Sequence, residues 1–207
     1  MTKRLFIAVF FLLFCGWNSH AQEVNFSAYA DYGLEITNSP KNLNFDEVGP
    51  IIADGSTYSI AVNNGNASII EIVGVKYLDI FVQVQAPTQL TKGADGIDFT
   101  LKAAYSNRQG NVSDPSSVPL KYVNVPSNNS FTIRAPILER QSQPPGPPPK
   151  PPTANTQSKV NKNNLDKTKA IFETFYLYLY GDITVDNNKP AGTYDGNITV
   201  DVSYDSF

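Results

Sequence analysis

Apolar residues recur at every second position through most of this chain. That is the period of a half-buried β-strand, whose side chains point alternately to its two faces. The clearest case is 193–204, where Tyr194, Ile198, Val200, Val202 and Tyr204 alternate with Thr193, Asp195, Asn197, Thr199, Asp201 and Ser203. In 24–36, Val24, Phe26, Ala28, Ala30, Tyr32, Leu34 and Ile36 share one face, and Asn25, Ser27, Tyr29, Asp31, Glu35 and Thr37 fall on the other. In 77–85, Leu78, Ile80, Val82 and Val84 oppose Asp79, Gln83 and Gln85; in 98–105, Phe99, Leu101, Ala103 and Tyr105 oppose Asp98, Thr100 and Lys102. Shorter strands are predicted at 57–62, 68–75, 118–125 and 130–134.

The segment 171–185 alternates with both faces apolar or aromatic. Ile171, Phe175, Leu177, Leu179, Ile183 and Val185 lie on one side, and Phe172, Tyr176, Tyr178 and Tyr180 on the other. A strand covered on both sides reads this way, and so does a strand carrying an exposed tyrosine row. No helical period of similar quality exists. Turn signals such as Asn38-Ser39-Pro40, Val48-Gly49-Pro50, Asn63-Asn64-Gly65 and Asn187-Asn188-Lys189-Pro190 separate the strands. About nine strands with frequent turns predict an all-β antiparallel sandwich rather than a βαβ fold.

Two stretches break the alternation. Residues 140–169 contain Pro144-Pro145-Gly146-Pro147-Pro148-Pro149-Lys150-Pro151-Pro152 and then a polar run. Proline cannot donate to a sheet, so an exposed loop insertion with a polyproline II first half is expected. A ligand for a proline-binding module is the competing reading. Only 38 residues follow the insertion, too few to bury a core unaided. Residues 22–207 are therefore expected to form one domain.

The second is the N-terminus. Lys3 and Arg4 precede an apolar run from Leu5 to Phe14, and Ser19-His20-Ala21 follows. This is the layout of a secretory signal peptide over 1–21, with cutting expected after Ala21. A buried N-terminal helix and a lipid-modified Cys15 are the alternatives. The run is too short for a membrane-spanning helix, and no longer apolar stretch follows. An exported chain at the periplasm or outer cell surface is expected, with no membrane span after processing.

Composition narrows the chemistry. The single Cys, His, Trp and Met are Cys15, His20, Trp17 and Met1. Processing after Ala21 removes all four. No disulfide, Cys/His metal site, thiol nucleophile or Ser-His-Asp triad is then available. Processing also leaves 14 basic and 19 acidic residues, a net charge of −5, with no basic stripe to bind nucleic acid. General bases reduce to Asp, Glu, Lys or Tyr. The carboxylate pairs Asp46-Glu47, Asp95-Asp98 and Asp182-Asp186 could in principle serve glycoside hydrolysis, but each sits beside turn residues. No catalytic residue, metal or cofactor is predicted. Asn25, Asn66, Asn111, Asn128 and Asn197 begin Asn-x-Ser/Thr sequences. The possible ligand-stacking residues are Tyr176, Tyr178 and Tyr180, spaced by about 7 Å along one strand face. They would stack sugar rings, or else pack as a cross-strand aromatic face beneath a neighbour.

The closing run Pro190-Ala191-Gly192-Thr193-Tyr194-Asp195-Gly196-Asn197-Ile198-Thr199-Val200-Asp201-Val202-Ser203-Tyr204 resembles the ending of spore coat protein U-type and related pilin-like domains of Gram-negative bacteria. Leu43-Asn44-Phe45 is similar to their first core strand, and Phe81 to Pro87 with Leu90-Thr91 to a central strand and its exit. The proline-rich insertion and the lack of paired cysteines depart from that pattern. The resemblance implies an immunoglobulin-like sandwich, secreted and structural or adhesive, in pili, coats or fimbriae. It implies partners that are other copies of the chain, or pilus or coat subunits, joined by strand exchange. Glycans are the partners in the competing reading, a non-catalytic carbohydrate-binding module.

Overall fold

The structure, a computed structural model, describes residues 22–30, 33–108, 113–140 and 171–205. Residues 1–21, where a signal peptide is expected, residues 141–169 of the proline-rich insertion and Asn111 lie outside the described residues. In chain order the strands are β1 (Gln22–Ala30), β2 (Glu35–Ile36), β3 (Leu43–Asn44), β4 (Thr57–Ile60), β5 (Ser68–Val75), β6 (Asp79–Gln85), β7 (Gln89–Lys92), β8 (Asp95–Ser106), β9 (Lys121–Val123), β10 (Ser130–Pro136), β11 (Phe172–Thr184) and β12 (Tyr194–Tyr204). One 3-10 turn, Phe45–Val48, follows β3. The fold is all-β and sandwich-like, as the alternation predicts.

Hydrogen bonding divides the strands into two layers. One runs β10, β6, β12, β1 and β3. In the other, β7 and β9 pair successive parts of one side of β8, β11 pairs its other side, β4 and β5 pair the far side of β11, and β2 pairs β5 at the edge. A single bridge, Asp195 with Thr91, joins them. The inward faces form one core that includes Ile72, Val82, Val84, Phe99, Phe175, Leu177, Ile198 and Val200.

Strand β12 sits inside its layer, with β6 on one side and β1 on the other. Tyr194, Ile198, Val200 and Val202 are at most 3% exposed. Burying four such side chains is worth about 6–12 kcal/mol as an upper bound, the scale of a whole domain's stability. The polar partners of the alternation, Asp195, Asn197 and Asp201, face solvent. The β1–β12 pair is parallel over nine residues, from Gln22 opposite Tyr194 to Ala30 opposite Val202. Pairing elsewhere is antiparallel among the described strands.

The segment 24–36 is not one strand. It divides into β1 in the first layer and β2 in the second. Gly33 lies between them at φ 84°, a left-handed conformation open to glycine at little cost. The alternation survives the break because both pieces turn an apolar side to the same core, through buried Val24 and Leu34. The other strand boundaries shift modestly. The predicted 118–125 contracts to three residues, and Leu78 precedes β6 and is 37% exposed. The short strands β3 and β7 escaped the periodicity because two to four residues are too few to display it.

The chain also crosses between layers at Ala86-Pro87-Thr88, between β6 and β7. Asn129 fixes this crossing. Its backbone is left-handed at φ 53° and its side chain is 1% exposed. Its amide nitrogen donates to the carbonyls of Pro87 at 2.7 Å and Phe99 at 2.8 Å, and its carbonyl accepts from Leu101 N at 3.0 Å.

Candidate functional site

The three sequence-predicted tyrosines share one face of β11, opposite the core-facing Phe175, Leu177 and Leu179. The register extends this face across the layer. Tyr176 lies between Glu71 and Ser106, and Tyr178 between Ile69 and Ala104. Ala104 is itself opposite Tyr122 on β9, and Tyr180 is opposite Lys102.

This outer face is closed over its middle. Tyr178 is 0% exposed and Tyr176 is 6% exposed, while Ala104 and Ser106 beside them are buried. Tyr180 is half-buried. Strand β11 is thus covered on both sides where these residues lie. The Tyr176 and Tyr178 rings stack with centroids 6.5 Å apart at 27°, within the range of favourable aromatic pairs. Burial pushes all three phenols above their ordinary value. The neighbouring charge of Glu71 adds to the effect on Tyr176, and those of Tyr176, Asp114 and Glu71 add to it on Tyr178. For Tyr180 the added influences are Tyr122 and Asp182. The Tyr178 hydroxyl is buried with no hydrogen-bond partner among the described residues.

As folded, then, the row offers little ring surface to a sugar. Tyr122, which the sequence reading passed over, is 69% exposed on the same face. It occupies a three-residue strand where no alternation marks it. Tyr122, Tyr180 and Phe172, 42% exposed at the start of β11, are the rings of this face that reach solvent among the described residues.

The carboxylate pairs are placed in turns or tied to neighbours. Glu47, in the 3-10 turn with Asp46, accepts from Lys41 at 3.0 Å. Asp98 accepts from Gln89 at 2.9 Å, with Asp95 exposed at the start of the same strand. Asp182 pairs with Lys102 at 2.6 Å, and Asp186 is exposed beyond the end of β11. Among the described residues no group of His, Cys, Asp or Glu is clustered to hold a metal ion. No described helix is long and apolar enough to cross a membrane.

The Pro-Ala-Gly-x-Tyr run has a local structural account. The Tyr194 hydroxyl donates to the Pro190 carbonyl at 2.9 Å, and Lys92 donates to the Ala191 carbonyl. The motif closes the turn that launches β12 and ties it to β7. No family model matches the chain, and no curated protein matches it.

Proposed function

We propose that this chain is an exported structural or adhesive subunit of the cell surface, pilin-like or coat-like, with an immunoglobulin-like sandwich and no catalytic role. The observation that carries the reading is the parallel ladder of β1 on β12. The strand that would emerge first after processing at Ala21 completes the layer built around the closing strand. A segment placed this way serves its own domain or, by exchange, that of a neighbouring copy or another pilus or coat subunit. The resemblance of the closing run to spore coat protein U-type domains points the same way.

Two measurements test it. Fractionation of cells expressing a C-terminally tagged chain should recover a processed protein from the periplasm, the outer surface or the medium. Recovery of the unprocessed chain in the cytosol overturns the proposal. Size-exclusion chromatography of residues 22–207, with and without 22–36, addresses exchange. The shortened chain should lose its compact state and regain it when a peptide of residues 22–36 is added. A compact monomer indifferent to the deletion removes the exchange mechanism.

A second reading, a non-catalytic carbohydrate-binding module, is favoured by exposed Tyr122 beside half-buried Tyr180. It calls for glycan-array binding that disappears in a Tyr122→Ala/Tyr180→Ala variant.

A further inference from the structure

Most free edges of the sandwich are short. Strands β2, β3, β7 and β9 run two to four residues, which blunts them against pairing with other chains. Strands β1 and β10 are longer; the outer edge of β1 is paired by β3 at Glu23 and Val24, whereas β10 has no strand on its outer edge among the described residues. It is seven residues long, pairs only with β6 among the described strands, and its register has no bulge.

Its ladder shows which backbone groups are free. Ala86 N donates to Asn129 O at 3.1 Å and Ile137 N donates to Leu78 O at 3.0 Å, at the two ends of the β6 pairing. Alternate residues of an antiparallel strand address alternate neighbours. Residues Phe131, Ile133 and Ala135 therefore spend their backbone groups on β6, and Thr132 and Arg134 aim theirs outward. The flanks agree. The Ser130 amide turns to the Asn128 side chain at 3.2 Å, and the Pro136 carbonyl takes a bond from Asn107 at 2.9 Å. Thr132 and Arg134 are exposed.

Natural edges of this length are commonly guarded by a charge. The charge on β10 is Arg134, and it is folded back over its own layer. Its guanidinium lies 5.7 Å from the centroid of the Phe81 ring, bonds Asp205, and is 3.9 Å from Asp79. Its charge is met from within the molecule, and among the described residues no strand covers the edge.

We infer that β10 is a homotypic docking edge, on which β10 of a second copy adds antiparallel across a two-fold axis at Ile133. That register uses both backbone groups of Thr132 and of Arg134, and sets each Thr132 opposite the partner's Arg134. A register centred on Arg134 would oppose two like charges and is disfavoured. The contact is isologous, so it closes as a dimer rather than growing into a filament.

The test uses light scattering and residue-resolved amide exchange on the purified protein. A dimer is expected at millimolar concentration, dissociating on dilution. The amides of Thr132 and Arg134 should exchange at least about tenfold faster in the dilute sample, while those of Ile133 and Ala135 stay unchanged. Thr132→Pro removes an outward-facing N–H that β6 does not use and should give a monomer with the wild-type circular dichroism spectrum. A monomer at every concentration, an open polymer, a dimer unaffected by Thr132→Pro, or exchange at Thr132 and Arg134 that ignores concentration would each overturn the inference. The exchange measurement needs only the wild-type chain, so it decides even if the proline variant does not fold.

Discussion

The hydroxyl of Tyr204, on β12, accepts the amide hydrogen of Val75, on β5 in the opposite layer, at 3.0 Å. The same hydroxyl donates to the carbonyl of Gly33 at 3.0 Å. One phenol thus ties the end of the closing strand to the facing layer and to the turn where the chain passes from β1 to β2. Asn129 does the corresponding work where the chain passes from β6 to β7. At these two places where the chain changes layers, one side chain bonded to backbone holds the crossing.

Tyr204→Phe keeps the ring and removes both bonds. It should cost about 1–3 kcal/mol and lower the melting temperature by roughly 2–12 °C. The Val75 amide should also exchange faster. Scanning calorimetry and amide exchange measure the two effects. An unchanged melting point would show that the phenol does not hold the crossing.

At Asn129 three backbone partners depend on one amide. Asn129→Ala should destabilise by about 2–5 kcal/mol. Asn129→Gly loses the same bonds but suits the left-handed backbone, so it should retain more stability than the alanine variant. Denaturant unfolding of the two variants gives the order, and the reverse order would contradict the backbone argument.

Gly181 tests the packing of β11 on β8. A β-carbon there would land on the Thr100 carbonyl oxygen and 3.2 Å from the Phe99 ring. Backbone cannot withdraw as a flexible side chain can. Gly181→Ala should therefore cost about 1–3 kcal/mol or more, read as an earlier unfolding midpoint in urea. A midpoint at or above the wild-type value would mean that the two strands are not so closely apposed.

Tyr178 carries a pH prediction. Burial raises its phenol in the folded state. In the unfolded chain tyrosine ionises near pH 10. The stability linked to the neutral phenol is full below that pH and drains as pH rises through the folded value. Tyrosinate absorbance at 295 nm should accordingly appear late and together with unfolding. Tyr178→Phe removes a buried hydroxyl that has no partner among the described residues. It should be neutral or stabilising by about 1 kcal/mol, and should move alkaline unfolding to higher pH. Early, non-cooperative ionisation of the full tyrosine complement would show that the face is open.

The long strands were legible because their alternation is carried by residues with one side in water and the other in the core. Tyr194 to Tyr204 is the plainest instance. The doubly apolar segment around Tyr178 left two readings open, since period alone does not say what lies over the second face. Burial of Tyr176 and Tyr178 answers that for the middle of β11 and leaves Tyr180 at the margin. What could not be read was the point where a strand changes layers, because the apolar pattern of 24–36 runs straight through it and Gly33 alone marks the turn. Asn129 was equally hidden. In the run Asn128-Asn129-Ser130 nothing in composition separates the exposed amide from the buried one. Tyr122 was missed because its strand is too short to show a period.

The segment 194–204 is synthesised after every other described strand, yet it is the one on which β6 and β1 both wait. Until it is made, β6 and β1 have no strand between them, and the layer lacks the four buried side chains of its closing strand. Pairings of such long sequence separation form slowly, so the stability of this layer rests on the segment made after the other described strands.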